Sequence, residues 1–406
     1  MERRVVITGL GIWSCLGTNL DEVRQSLYSG KSGIIFSQAR KDAGFRSALC
    51  ADVPKADLKK YLSRDLRKLM PEEAQYGYLA TIQALEHAKL DQDFLDQNEV
   101  GVIYGNDSVA EATMQALDKF RQAGSTAACG SGAIFQSMNS KVTMNLATLL
   151  HLRGINLTAS AACASGSHSV GLSYLLIKDG LQDCIICGGA QEANMFSVAS
   201  FDGLMAFSTR EDEPTKASRP FDRDRDGLIP GGGAATLVLE SYEHAVKRGA
   251  PILAEIVGWG FSGNGDHIST PNVAGPTRSL ELCLKNGGIN PRDIGYINAH
   301  ATSTHAGDGR EALAIANIFG DYRVPVTSTK SQTGHEMWMA GASELIYSIL
   351  MMKNDFIGGS LNFENPDEDT ACINVIPETR EAHFDMFLSN SFGFGGTNSS
   401  LIIKNL

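Results

Sequence analysis

Asn156-Leu-Thr-Ala-Ser160-Ala-Ala-Cys163-Ala-Ser-Gly166 is the stretch that settles the fold class. Its opening residues read as a strand, and Val170, Leu172, Leu175 and Leu176 just beyond it belong to a helix. A strand turning through a few small residues into a helix is the unit of an α/β protein with buried sheets. The alternation recurs outward in both directions. Strands are predicted over 4–8, 100–104, 156–159, 183–187, 235–240, 252–261, 294–298, 324–328, 387–389 and 399–404, and helices over 20–28, 72–88, 166–179, 276–285, 309–319 and 341–353. Forty-two glycines against 12 prolines fit many tight strand–helix turns.

A chain of 406 residues, 43% hydrophobic, can bury a large core, and its length predicts two domains or one duplicated unit. The polar stretch 209–226 reads as a loop or linker, and a soft boundary near residue 250 divides an amino-terminal half, 1–250, from a carboxy-terminal half, 251–406. With 46 acidic against 35 basic residues the net charge is −11, which excludes a general nucleic-acid footprint. The amino terminus opens on a strand rather than a signal peptide, and no apolar run approaches the ~20 residues that span a bilayer. A cytoplasmic protein with no membrane role is expected. The eight cysteines are too scattered for a disulfide framework. Cys184-Ile-Ile-Cys187 resembles a CxxC motif, but it lies in a predicted buried strand with no second such pair, so core packing is expected over a metal or redox role.

Four segments carry chemistry. Cys163 stands at the strand-to-helix turn, where unpaired N–H groups and the helix dipole are expected to lower a thiol pKa of about 8.5 and favour a thiolate nucleophile. Asn298-Ala-His300-Ala-Thr302-Ser-Thr304-His305-Ala-Gly-Asp308 leaves the end of a strand, the place where ligands bind in α/β proteins. Ser328-Thr-Lys330-Ser-Gln-Thr-Gly-His335 does the same and adds a lysine able to tune a histidine pair. Asn390-Ser-Phe-Gly-Phe394-Gly-Gly-Thr-Asn398 is a glycine-rich turn whose N–H groups can face an oxyanion, with phenylalanine as wall or gate.

In this order and at these separations, with Val6-Ile-Thr-Gly-Leu-Gly11 and Arg219-Pro-Phe-Asp-Arg-Asp-Arg-Asp226-Gly227, the segments resemble the elongating β-ketoacyl-acyl carrier protein synthases, types I and II. The resemblance covers essentially the whole chain and leans towards type I. It implies the thiolase-like α/β fold, a duplicated five-layer αβαβα arrangement that is usually dimeric, and an acyltransferase that condenses an acyl group on Cys163 with malonyl-acyl carrier protein, losing carbon dioxide. Carried over by position, Cys163 is the nucleophile, and His300 and His335 stabilise the enolate. Lys330 orders the site, with Glu311 as its acidic partner. Thr302 and Thr304 hold the phosphopantetheine arm, and Phe394 is the gate whose N–H joins that of Cys163 in the oxyanion hole. Asp107, Ser108 and Phe201 fall in the acyl pocket. No metal or cofactor is implied, since the phosphopantetheine arrives on the carrier protein.

Departures from the family pattern bear on the substrate. The small residues that follow the second histidine in the family are here Glu336-Met-Trp338-Met, which predicts a reshaped pocket, and a charged Asp107 argues against a long saturated tail on desolvation grounds. A specialised substrate is expected, such as a polyunsaturated or aryl-primed chain. The acidic carrier protein requires a basic patch, for which Lys59, Lys60, Arg64, Arg67 and Lys68 are candidates at helical spacing, with Lys119 and Arg121 beyond them. A homodimer is expected, or a heterodimer with a paralogue of the chain-length-factor kind. Two rival readings are a subunit of such a heterodimer, active or inactive, and a cysteine acyltransferase that stops before condensation.

Overall fold

Within one strand, Ile185 and Cys187 enter one hydrophobic core while Cys184 and Ile186 enter another. That period-two alternation is what a sheet buried on both faces demands. It also answers the CxxC question, because the two thiols lie on opposite faces as core residues. Residues 3–406 are described, in a computed structural model.

Eleven strands form one hydrogen-bonded sheet system: β1 Val5–Trp13, β2 Val100–Gly105, β3 Asn156–Ala159, β4 Cys184–Gln191, β5 Gly233–Ser241, β6 Ala254–Gly263, β7 Tyr296–Asn298, β8 Pro325–Thr327, β9 Asn374–Val375, β10 Met386–Gly393 and β11 Thr397–Asn405. Reading from one edge, the order is β9-β8-β7-β10-β11-β6-β1-β5-β4-β2-β3. The chain is internally duplicated. From β1 outward come antiparallel β5 and β4, then parallel β2 and β3. From β6 outward come antiparallel β11 and β10, then parallel β7 and β8. The halves meet where β1 pairs antiparallel with β6, Val5 opposite Ile256.

Six helices complete the layers: α1 Glu72–Ala88, α2 Glu111–Ala123, α3 Ser165–Lys178, α4 Ala274–Gly287, α5 His305–Phe319 and α6 Ala340–Lys353. The outer helix α1 packs with Val102, Ile186 and Val238 in one core, and α4 and α5 pack with Ile297, Leu388 and Ile402 in another. Between the sheets lie α3 and α6, sharing a core with Ile185, Leu237, Leu401 and Ile403. The result is αβαβα. Nearly every side chain of α6 is buried, as a helix in the central layer must be. No described helix is long and apolar enough to cross a membrane.

Within the segment 209–226, residues 209–216 are largely exposed, whereas 217–222 and Arg225 are buried. Arg225 is 1% exposed; it donates to the carbonyls of Asp222, Thr304 and His305 and to Asp367. The segment therefore straps the loop that follows β7. That loop also ends earlier than its sequence suggested, since α5 begins at His305 rather than Gly309.

Candidate active site

The nucleophile turn follows from local chemistry. β3 ends at Ala159, Ala162 takes a left-handed φ of 46°, and α3 starts at Ser165. Ser165 Oγ locks the turn by accepting the Ala161 N–H and donating to the Ala162 carbonyl. Asp107 Oδ2 accepts the Ala162 N–H at 3.0 Å, and Ser108 donates to its other oxygen at 2.8 Å. The charge predicted to face an acyl tail is thus taken up by the turn itself. Ser108 is exposed, and neither residue is among those lining the cavity at Cys163.

The end of β10 comes up against this turn. A Cβ on Gly393 would meet the Ala161 carbonyl oxygen and the Cys163 nitrogen at 3.1 Å, so the absence of a side chain permits the approach. Beyond it Phe394 directs its N–H to the Cys163 thiol. Burial pushes that thiol up to about 12, against the Lys330 ammonium and the N–H groups of Phe394 and Cys163. This corrects the expectation of a lowered pKa. The helix start was legible in the sequence, whereas the burial that outweighs it was not.

A cavity of about 320 Å³ is lined by Cys163, Phe201, His300, Thr302, Thr304, Glu311, His335 and Phe394 among others. The rings of His300 and His335 meet edge to face, 5.3 Å between centroids. His335 Nδ1 accepts the Met337 N–H at 3.2 Å, so the ring proton sits on Nε2, which is buried without a partner. Nδ1 of His300 is likewise unpartnered. Burial, reinforced by the Lys330 charge, pushes both imidazoles well below their ordinary value and keeps them neutral. Asp308 shapes the opposite wall by accepting the N–H groups of Thr302 and Thr304, whose hydroxyls lie 3.2 Å apart.

Lys330 stands outside the cavity wall, and its ion-pair partner is Glu344, not Glu311; both members of the pair are 1% exposed. Glu311 instead accepts the N–H groups of His300 and Ala301 and the Asn390 amide. It positions the first histidine through its backbone. Glu344 is fourteen residues beyond Lys330, on α6, and nothing in the sequence singled it out. Glu336, predicted to crowd the pocket, points away from it and accepts the Ser343 and Tyr347 hydroxyls.

Of the basic candidates, Lys59, Arg64, Arg67 and Lys68 line one groove with Lys55, whereas Lys60 does not. They do not share one helical face, because the only helix there is the single turn Arg64–Arg67. Lys119 and Arg121 lie exposed on α2, and Lys68 and Arg121 contact Asp65 and Asp118. Wall residues that sequence reading missed come from the loop after β6, Asn264 and His267 to Asn272. Nothing marks that loop except its chain position, and two backbone bonds tie it to the gate, the Gly395 N–H to the Ile268 carbonyl and the Asn264 N–H to the Gly396 carbonyl.

Comparison with known proteins places this geometry. Residues 2–245 match the family described as beta-ketoacyl synthase, N-terminal domain, and residues 253–364 its C-terminal domain. A 3-oxoacyl-acyl-carrier-protein synthase 1 from Haemophilus influenzae is 41% identical over 405 residues, 99% of each chain. The crystal structure of a beta-ketoacyl synthase from Burkholderia phymatum superposes with a TM-score of 0.95 at 37% identity, covering both chains completely. The ishigamide ketosynthase/chain length factor gives 0.91 at 30% identity, also over both whole chains.

Proposed function

This chain belongs to the β-ketoacyl synthase family, and from that premise we propose how its own residues divide the work of decarboxylative condensation with malonyl-acyl carrier protein. The observation that carries the assignment is the convergence of Cys163, the two neutral imidazoles and the Phe394 N–H on one cavity. In the first half-reaction the Cys163 sulfur attacks an acyl thioester. The thiol proton ends on the departing phosphopantetheine sulfur, so no resident acid or cofactor is consumed. The tetrahedral oxyanion accepts the N–H groups of Cys163 and Phe394.

In the second half-reaction the malonyl C–CO2 bond breaks and its electron pair becomes an enolate. His335 Nε2–H is a preformed donor to the enolate oxygen, with His300 beside it. A neutral donor stabilises that charge without protonating the carbon nucleophile. The enolate carbon attacks the Cys163 thioester, a carbon–carbon bond forms, and the sulfur leaves and takes a proton from solvent. Thr302 and Thr304, which line the cavity, hold the pantetheine amides in this reading. The buried Lys330 acts on the Cys163 thiol at a distance through its charge.

Malonyl-carrier protein with Cys163→Ala and with His335→Ala separates the two halves. Cys163→Ala should take up no acyl group yet still release carbon dioxide, and His335→Ala should lose roughly 100- to 1,000-fold in that release, the usual effect of deleting one oxyanion donor. Full decarboxylation by His335→Ala would overturn the role given to its imidazole, and acyl transfer without any carbon dioxide would favour the plain acyltransferase.

The partner assignments are carrier protein at the basic groove and a second copy of the chain at the β3 edge. Leu157 on that edge strand is exposed, and Met114, Phe120, Ile134, Phe135 and Met138 leave apolar surface in the neighbouring region 111–138. Unpaired strand edges with exposed apolar side chains seek a partner. A single-chain mass by sedimentation at micromolar concentration would refute the homodimer, and a stable complex only with a paralogue would point to the heterodimer. The eight unpaired cysteines fit a reducing compartment, so the cytoplasm is the expected place of action, testable by cell fractionation.

A further inference from the structure

Cys163 belongs to a small apolar cluster with Val198, Phe207, Leu228, Met337 and Trp338. Trp338 is 4% exposed, and its indole N–H is buried with no acceptor among the described residues. Its ring lies 6.2 Å from that of Phe201, which in turn stacks on Phe207 at 6.4 Å and Phe394 at 6.0 Å. The indole is also fixed relative to the imidazole pair. Met337, at a left-handed φ of 47°, donates its N–H to His335 and begins the single 3-10 turn Met337–Met339. Buried donors in folded proteins are nearly always satisfied, and an exception needs an explanation, of which a partner from outside the fold is one.

We propose that Trp338 selects the acyl group that Cys163 carries. Its ring takes up space beside the sulfur that a long saturated chain needs, and its N–H donates to an oxygen on the acyl group beyond the thioester carbonyl. The substrate class is then an acyl group bearing a keto, hydroxyl or ether oxygen, held against an aromatic wall. The inference rests on the reading of Cys163 as the acylated nucleophile.

The test compares the full-length parent with Trp338→Phe, which keeps a flat ring and removes the donor, and Trp338→Leu, which also opens space. Carrier protein loaded with octanoyl, 5-oxo-octanoyl or 7-oxo-octanoyl groups supplies the probes, and transfer to Cys163 is followed by intact-protein mass spectrometry without malonyl donor. The parent should prefer an oxo chain. Trp338→Phe should lower that preference roughly 3- to 10-fold, the usual worth of one hydrogen bond. Trp338→Leu should speed octanoyl transfer roughly tenfold. An unchanged preference in a folded Trp338→Phe overturns the proposal and means that the N–H holds only water. If Trp338→Leu does not fold, the phenylalanine ratio alone decides. A parent that takes no acyl group at all overturns the condensing reading itself, which is a separate failure.

Discussion

Glu344→Gln is the perturbation that most directly probes the buried charge behind the histidines. Lys330 and Glu344 are each 1% exposed, and among the described residues no other carboxylate forms an ion pair with Lys330. Removing either partner of such a pair strands a buried charge and costs about 3–5 kcal/mol. A carboxyl left alone in Lys330→Met must take up a proton, which at pH 7 costs about 3–4 kcal/mol against its ordinary ~4.3, and an ordinary lysine ammonium, near ~10.4, costs about 4–5 kcal/mol to neutralise. Each single variant should therefore destabilise by about 3–5 kcal/mol, and the double variant, which strands no charge, should lie well above both. Urea unfolding of the four proteins at pH 7 measures the cycle. A double variant no more stable than Glu344→Gln and Lys330→Met refutes the reasoning.

Glu336→Gln should change how stability depends on pH. Burial raises the Glu336 carboxyl from 4.5 to about 7, so the unfolded chain holds fewer protons across that window and native stability falls as pH rises through it. The glutamine variant should gain about 1 kcal/mol on its parent between pH 6 and pH 8; an equal difference at both values contradicts this. Charge reversal at Arg64 and Lys68 should raise the KM for carrier protein roughly tenfold at low salt, with kcat little altered. Unchanged KM would remove the groove from consideration as the docking place.

Long-range periodicity made the sheet legible. The strand Asn156–Ala159 and the helix Glu72–Ala88 have the bounds their residues predict, because buried alternation and an apolar stripe write themselves into the chain. α2 went unread although Met114, Leu117 and Phe120 recur along it, because none of its side chains is buried in the described chain and the stripe joins no core. In the site, residues at strand ends could be named individually, but not what faces them. Glu311 and Glu344 are both acids on helices, and only the packing of α6 against α3 decides which meets Lys330. The direction of Glu336 depends on a left-handed Met337 next to it, which no propensity for methionine would suggest. The titration of Cys163 likewise depends on burial by residues drawn from 198 to 338.

Of the described strands, β1 waits longest along the chain for its first neighbour. β1 pairs only with β5, near residue 240, and β6, near residue 255. At translation rates of ~5–20 residues per second it waits roughly ten seconds to a minute for either. Over that interval a continuous apolar ribbon, Val5-Val-Ile7 among it, is held without partners outside the ribosome. A chain released before residue 230 would keep that ribbon unpaired permanently. The nascent protein is therefore a demanding client for whatever shields exposed strands during synthesis, and a premature stop in its first half is a route to aggregation rather than to a smaller folded unit.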